Sequence, residues 1–268
     1  MTEQEYSNEP TMAKDSKKST NPVMKFVTDS IIKPFDKFSE GLLSAIKKAG
    51  LEHNLQYPFY LSQDTLWWNV MHSLFDFNIY GSEHIPPVGE AAVLCVNHQS
   101  MFDPIIFCVS IAHYTRRKLH TMAKIELFKT PFVNSYIRWN YAFPIKRGVH
   151  DTDAYNHSLE LLRKGELVGI YPEGTLNGGE YDFLEPKTGA ARLAIEAGVP
   201  LIPLGISGSD RILGKHMRLP SLNTKLTIKI GEPINVHKKY PGGEIPPKKV
   251  LEGIMTNVMD RIRELLVY

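Results

Sequence analysis

The chain has 268 residues, of which 43% are apolar and 22% are charged, and its net charge is +2. These values fit one large globular domain, or one domain with a small appendage, and exclude a chain that is disordered throughout. The small net charge argues against a nucleic-acid-binding protein, which usually carries a dense basic stripe. Cys95 and Cys108 both lie in apolar runs, so we expect buried thiols in a reducing compartment and no zinc site.

Residues 1–22 are polar and rich in Ser, Thr, Asn and Lys, which predicts a disordered tail with no secretory signal. No run in the chain reaches the roughly 18 apolar residues that a membrane-spanning helix needs. We therefore expect a peripheral or monotopic membrane protein on the cytoplasmic face of a membrane.

Residues 23–80 predict an amphipathic helical region that anchors the protein at a membrane interface. Apolar residues recur at steps of three and four from Val23 to Ala49, most lysines lie off that stripe, and Pro34 should kink the helix. The aromatic residues that follow are Tyr57, Phe59, Tyr60, Trp67, Trp68, Phe75, Phe77 and Tyr80. Lysines beside clustered aromatic residues are typical of a membrane interface. The alternative is that the apolar stripe packs on the protein's own core.

Residues 81–268 alternate between strand and helix patterns and predict a further domain. Strands are predicted at 91–97, 119–123, 141–145, 167–171, 201–206 and 225–230, and helices at 104–114, 131–139, 151–164, 188–197 and 247–267. Strands separated by helices predict an α/β fold, in which a layered sheet of mostly parallel strands is covered by helices.

A histidine and an aspartate lie five residues apart directly after the first of these strands, in the segment Asn97 to Pro104. A turn between strand and helix would bring the Asp103 carboxylate to the Nδ1–H group of His98, leaving Nε2 free to accept a proton. The alternative is that Asp103 is an ordinary helix cap before Pro104 and that His98 is a turn histidine.

The segment 171–175, Tyr-Pro-Glu-Gly-Thr, follows another predicted strand. Gly174 permits the backbone to approach a ligand, while Glu173 and Thr175 supply an acceptor and a hydroxyl group. An ordinary Pro/Gly turn would explain the same residues.

Several cations lie near predicted strand ends or in the connecting segments: Lys124, Lys146, Arg147 and Lys187. Arg binds phosphate in a bidentate manner and Lys acts as a point charge, so these residues are candidates for a phosphate site. Solvated surface charge is the alternative for each of them.

In this order, the segments resemble the PlsC, or lysophosphatidic acid acyltransferase, family of glycerolipid acyltransferases. Its NHxSxxD box is matched by Asn97, His98, Ser100 and Asp103, and the end of its second block by Ile145 and Arg147. Its [FY]-P-E-G-T block is matched at 171–175 and its V-P-[IL]-[IV]-P-[VL] block at 199–204. The resemblance covers roughly residues 80–230. Leu176 and Asn177 stand where the family often has Arg and Ser, so one expected phosphate-facing cation is missing.

The resemblance implies direct acyl transfer from acyl-CoA or acyl-carrier protein to lysophosphatidic acid, giving phosphatidic acid in phospholipid biosynthesis. His98 would be the general base and Asp103 would orient it, with no metal and no further cofactor. The acceptor's glycerol phosphate would be bound by Arg147, Glu173, Gly174 and Thr175. We add Lys124 and Lys187 to that set on the charge argument.

Other functions remain open. Related acyltransferases act on glycerol 3-phosphate, on another lysophospholipid or on an amino-acid-linked lipid, and the departure at Leu176 keeps these acceptors open. A hydrolase would use the same His–Asp pair on an acyl thioester. A non-enzymatic peripheral protein would bind acidic lipid through its basic helix.

Overall fold

The computed structural model describes residues 41, 44–46, 48–129, 131–148, 151–177, 183–213, 221 and 224–267. The predicted tail at 1–22 and most of the predicted amphipathic helix at 23–49 lie outside the described residues. Within the described part of the chain, every helix is too short or too polar to span a bilayer.

A seven-stranded sheet forms the centre of the protein. Its strands are β1 (Asp76–Tyr80), β2 (Ala92–Val96), β3 (Leu119–Lys124), β4 (Ala142–Ile145), β5 (Leu167–Ile170), β6 (Leu201–Ser207) and β7 (Lys225–Ile230). They lie in the order β1-β7-β6-β2-β5-β3-β4. The five strands from β6 to β4 are parallel to one another, whereas β7 is antiparallel to β6 and β1 pairs in parallel with β7. The predicted α/β fold with a mostly parallel sheet is therefore confirmed.

Helices cover both faces of the sheet. They are α1 (Glu52–Leu74), α2 (Asp103–Thr115), α3 (Pro131–Trp139), α4 (Thr152–Arg163), α5 (Gly189–Ala197), α6 (Ser209–Leu213) and α7 (Lys248–Leu265). Every residue of β2 is buried, with Leu94 and Val96 in the core beneath α1 and α2, and Val93 and Cys95 in the core beneath α4, α5 and α7. A continuous apolar run such as Ala92–Val96 suits a parallel strand that is covered on both sides.

The part of the predicted membrane-interface region that the structure describes packs as part of the folded domain. Residues 76–80, which the sequence analysis grouped with the helical region, form β1 at the edge of the sheet and pair with β7. The aromatic side chains of α1 also pack inward: Trp68 stacks on His113 at 3.5 Å between ring centroids, and Trp67 meets Phe102 edge-on at 5.8 Å. Packing on the protein's own core therefore explains these aromatic residues, because α1 lies against α2.

Candidate active site

The predicted site residues gather at one edge of the sheet. His98 follows β2, Glu173 follows β5, Lys124 ends β3 and Arg147 follows β4. These four strands are mutually parallel neighbours, so their carboxyl ends meet at the same edge. Ligand sites in sheets of this kind lie at the carboxyl ends of the strands.

His98 and Asp103 form a buried hydrogen-bonded pair at this edge. His98 Nδ1 lies 3.0 Å from Asp103 Oδ2, and the same oxygen accepts the backbone N–H groups of Gln99 and Ser100, each at 2.7 Å. Asp103 is 0% exposed and His98 is 9% exposed. Three donors on one carboxylate oxygen fix its direction. The hydrogen-bond network thereby assigns the proton of the neutral imidazole to Nδ1, and Nε2 becomes the basic nitrogen.

The turn that carries the pair is set by its local sequence. Asp103 opens α2 with Pro104 directly behind it, where the missing N–H of proline costs the helix nothing. Ser100 Oγ accepts the N–H of Phe102 at 3.1 Å, which tightens the turn from β2 into α2. The sequence-based prediction of a turn that brings Asp103 to His98 is therefore confirmed.

Asn97 attaches this turn to the neighbouring strand. Its side-chain amide donates to the carbonyl of Ile206 at 2.9 Å, and its Oδ1 accepts the N–H of Ile206 at 2.8 Å. The side chain thus extends the pairing of β2 with β6 by one position beyond Val96. His98 can then leave the sheet while its Cα stays anchored at the edge.

Tyr171 supplies the surface on which the imidazole rests. The two rings lie 4.1 Å apart with an interplanar angle of 28°. Burial, and next the nearby Asp103 carboxylate, hold the pKa of Tyr171 well above its usual value of 10.0. The phenol is therefore neutral at physiological pH, and its ring face can stabilise an imidazolium as His98 gains a proton. Sequence reasoning noted Tyr171 only as part of a motif, although an aromatic residue directly after a strand is a signal for such a role.

Glu173 is buried, at 3% exposure, and is bonded to three parts of the protein. Oε1 accepts the N–H of His98 at 3.1 Å, and Oε2 accepts the side-chain amide of Asn177 at 2.7 Å and the N–H of Leu184 at 3.1 Å. The N–H of Asn177 in turn donates to the carbonyl of His98 at 2.7 Å. Both carboxylate oxygens are engaged within the protein, which favours a role in positioning His98 over the predicted direct contact with the acceptor.

The predicted phosphate-binding cations are exposed around the same edge. Lys124 lies 3.8 Å from the Glu126 carboxylate, while Arg147 and Lys187 are exposed after β4 and before α5. Asp151 helps to place the segment after β4, because its Oδ2 accepts the N–H of Lys146 at 2.7 Å. That hydrogen bond is the main cause that lowers the pKa of Asp151. The roles of these cations in binding remain predictions.

Gly174 and Thr175 lie beside Lys187. Gly174 has a φ of +70°, and a side chain there would come within 3.8 Å of the Lys187 stem. The N–H of Lys187 donates to the carbonyl of Pro172 at 2.8 Å, which holds this lysine near the turn. Thr175 is exposed. Within the residues that the structure describes, no three His, Cys, Asp or Glu side chains cluster to hold a metal ion.

A known family model matches the part of the chain that forms this edge of the sheet. The family model described as Acyltransferase matches residues 76–207, which include β1, both segments around His98 and Glu173, and β6. The match therefore covers the strands whose ends form the edge described above.

Two similar proteins are both named as acyltransferases. The chain is 29% identical over 187 residues to the 1-acyl-sn-glycerol-3-phosphate acyltransferase of Bacillus subtilis, covering 70% of this chain and 86% of that protein. It is 28% identical over 178 residues to the enzyme of the same name from Haemophilus influenzae, covering 63% of this chain and 69% of that protein.

The fold also has a solved counterpart. The crystal structure of the 1-acyl-sn-glycerophosphate (LPA) acyltransferase PlsC from Thermotoga maritima superposes with a TM-score of 0.62 at 22% identity, covering 88% of this chain and 97% of that chain. The range that the family model matches includes His98 and Asp103. Residues 76–207 form a domain of the acyltransferase family.

Proposed function

We propose that this protein transfers a fatty acyl group from a thioester donor, acyl-CoA or acyl-carrier protein, to the free hydroxyl of lysophosphatidic acid. The product would be phosphatidic acid, so the enzyme would act in phospholipid biosynthesis. The observation that carries the proposal is the 3.0 Å contact between His98 Nδ1 and Asp103 Oδ2, which leaves Nε2 as the base. The names of the relatives from Bacillus subtilis and Haemophilus influenzae support the choice of acceptor.

The chemistry follows from the geometry of the pair. His98 Nε2 removes the proton of the acceptor hydroxyl, and the oxygen attacks the thioester carbonyl carbon. The new C–O bond forms and the C–S bond breaks as the tetrahedral intermediate collapses. The proton held on His98 then passes to the departing thiolate, which restores the neutral imidazole. Asp103 keeps the ring oriented and stabilises its charged form between the two proton transfers.

Three exposed cations would bind the acceptor's phosphate. On the β5–β4 side of His98, Lys124 ends a parallel strand, and Arg147 and Lys187 lie beyond the carboxyl ends of two others. A phosphate monoester offers several oxygens to such donors, and charge-assisted hydrogen bonds of this kind are the strong ones. We also propose that no metal ion and no further cofactor takes part.

The proposed acceptor is a membrane lipid, so the enzyme would work as a peripheral membrane protein with this edge facing the bilayer. Three large apolar side chains are exposed on the segments after β2, β3 and β5, namely Met101 at 70%, Leu127 at 44% and Leu184 at 36%. Apolar residues flanked by cations are typical of surfaces that rest on a membrane. Sedimentation with vesicles containing phosphatidic acid tests this part: a Met101→Ser, Leu127→Ser double variant should bind less than wild type.

The decisive experiment measures transfer from a radiolabelled acyl donor to lysophosphatidic acid in mixed micelles. We expect labelled phosphatidic acid. Product with glycerol 3-phosphate or another lysolipid instead would preserve the mechanism and change the acceptor. Release of free fatty acid without an added acceptor would favour the thioester hydrolase, and no transfer from either donor to any hydroxyl acceptor by folded protein would overturn the proposal.

A further inference from the structure

A small pocket lies at the carboxyl edge of the sheet, on the other side of His98 from the three cations. Its volume is about 150 Å³, and it is lined by Ser207, Arg211, Lys225, Thr227 and Val267. None of these residues belongs to the site described so far.

The chain builds this pocket where two antiparallel strands meet. Ser207 ends β6 and pairs with Thr227 of β7, while Lys225 begins β7, so all three lie at the same edge as His98. Gly208 then turns the chain with a φ of +90°, and a side chain at this position would come within 2.1 Å of the Lys225 carbonyl oxygen. Only glycine fits this turn, which leads directly into α6 and places Arg211 at the pocket beside Lys225.

The described lining of the pocket is rich in hydrogen-bond donors. Arg211 and Lys225 are exposed, and neither forms an ion pair with any residue of the described ranges. None of the described residues that line the pocket carries a carboxylate side chain. Ser207 Oγ accepts the N–H of Val267 at 2.9 Å, so its hydroxyl proton remains available for donation. Two cations that have no ion-pair partner among the described residues, together with two hydroxyl groups, match a phosphate, whose several oxygens accept charge-assisted hydrogen bonds.

The position of the pocket relative to His98 suggests which phosphate it holds. In the sheet, β6 separates β7 from β2, and Asn97 bonds to Ile206, the residue before Ser207. Neighbouring strands lie about 4.8 Å apart, so the start of β7 is on the order of 10 Å from the end of β2. The cations Lys124 and Arg147 lie on the opposite side, beyond β5. Two groups of cations thus flank the base, and the proposed acyl-transfer reaction has two phosphate-bearing substrates.

We infer that the pocket of Ser207, Arg211, Lys225 and Thr227 binds a phosphate of the acyl donor's phosphopantetheine-bearing carrier. The inference rests on the proposed function. In such carriers a long pantetheine arm separates the thioester from the phosphate. With the phosphate at Arg211 and Lys225, the arm runs past Gly208 and Asn97 and brings the thioester carbonyl to His98 Nε2. The acceptor's phosphate then lies on the other side of His98, and its hydroxyl approaches the carbonyl from there.

The test compares an Arg211→Gln, Lys225→Gln double variant with a Lys239→Gln, Lys249→Gln control. Both remove two exposed positive charges, but the control lysines lie near the amino-terminal edge of the sheet, after the bridge between Ile234 and Leu201 and at the start of α7. We expect the KM for acyl-CoA or acyl-carrier protein to rise about tenfold in the pocket variant, because charge-assisted hydrogen bonds to phosphate are lost. The KM for the acceptor should stay constant in both variants.

A donor without phosphate sharpens the test. With an acyl-N-acetylcysteamine thioester, wild type and pocket variant should transfer at equal rates. A larger effect on acyl-CoA than on acyl-carrier protein would assign the pocket to the nucleotide phosphates, and equal effects would assign it to the phosphate that both donors share. Either result supports the inference.

Three results would overturn it. These are an unchanged donor KM, a rise in the KM for the acceptor instead, or an equal loss with the phosphate-free donor. If wild type transfers no acyl group at all, the proposed function fails, and the pocket is then judged by titrating coenzyme A into the two variants. Equal affinity in the pocket variant and the control would overturn the inference by that route as well.

Discussion

Among the described residues, two aspartates, Asp103 and Asp64, are buried and paired with a histidine, and the two carboxylates are held differently. At the sheet edge, Asp103 Oδ2 accepts Nδ1 of His98 at 3.0 Å and two backbone N–H groups at 2.7 Å. Between α1 and α2, Asp64 lies 3.4 Å from Nδ1 of His113 and 3.4 Å from Nη1 of Arg116. Exposure is 0% for Asp103 and 3% for Asp64, so burial alone does not distinguish the two carboxylates.

The difference lies in the backbone donors. Asp103 belongs to the turn that supplies them, whereas Asp64 lies within a helix whose N–H groups are already used. Oδ1 of each aspartate finds no hydrogen-bond partner in the described part of the chain, so only the donors to Oδ2 distinguish the two carboxylates. Burial raises the pKa of Asp64 above its ordinary value of 3.8. A hydrogen-bonded His–Asp pair does not by itself identify a catalytic dyad. A carboxylate that backbone hydrogen bonds hold in place, next to a crevice, is the stronger sign.

The sharpest test of this comparison removes one histidine from each pair. His98→Ala should lower acyl transfer by about 10²- to 10⁴-fold, because it removes the general base. His113→Ala should leave transfer within a few-fold of wild type, since this histidine touches α1 and not the reacting atoms. Labelled product from the micelle assay gives both rates, and circular dichroism checks that both variants are folded. Equal losses would remove the distinction between the pairs.

Changing each aspartate to asparagine should give the next largest difference. Asp103→Asn keeps the shape but loses the charge that stabilises the His98 imidazolium, so we expect kcat to fall by a factor on the order of 10² or more. Asp64→Asn should keep kcat, because its partners lie between the two helices. The KM for the acceptor should change little in either variant. A wild-type kcat for Asp103→Asn would show that the 3.0 Å contact has no catalytic role.

Glu173 should show the smaller effect of a positioning residue. Glu173→Gln replaces one accepting oxygen by an NH₂ group that faces the donors of His98, Asn177 or Leu184, and a buried unsatisfied group costs about 1–3 kcal/mol of unfolding free energy. We therefore expect a lower midpoint in urea unfolding and a lower kcat with an unchanged acceptor KM. Exposed Glu185→Gln serves as the matched control and should change neither. A selective rise in acceptor KM would instead assign Glu173 to acceptor binding, as first predicted.

Local patterns in the sequence predicted much of this architecture. The bounds expected for α3 and β7 agree with the structure, and the buried run of β2 followed by His98, Asp103 and Pro104 predicted the strand, turn and helix that form the dyad. These features depend on residues within one or two turns of each other. Periodicity and capping residues therefore carry enough information to predict them.

Contacts between distant segments were not predictable in this way. The hydrogen bond from His98 to Glu173 joins residues 75 positions apart, and nothing near Glu173 indicates that its carboxylate points at a backbone N–H. The antiparallel direction of β7 depends on how the chain returns after α6, which strand composition does not encode. The aromatic residues of α1 suit a membrane interface and a helix interface equally well by composition, and only the position of α2 decides between them.

The smallest expected effect is on how stability depends on pH, through His113 of the pair with Asp64. Burial, with Arg116 and His72 adding to it, lowers the pKa of His113 below its ordinary value of 6.5, although Asp64 acts in the opposite direction. As the pH falls below about 6.5, the unfolded chain takes up a proton at this histidine while the folded protein resists it. The free energy of unfolding of wild type should therefore fall relative to that of His113→Gln between pH 7 and pH 5.5 in urea titrations.

The sign of this change in the free energy of unfolding shows whether burial or the Asp64 charge dominates the pKa of His113. In an Asp64→Asn background the relative fall should become steeper, because the group that raises the pKa of His113 is gone. If wild type instead gained stability over His113→Gln on acidification, His113 would be protonated in the folded state and paired with an ionised Asp64. The pair between α1 and α2 would then be an ion pair, and Asp64 would hold its charge without backbone donors. Backbone hydrogen bonds would then no longer distinguish the catalytic pair from the second one.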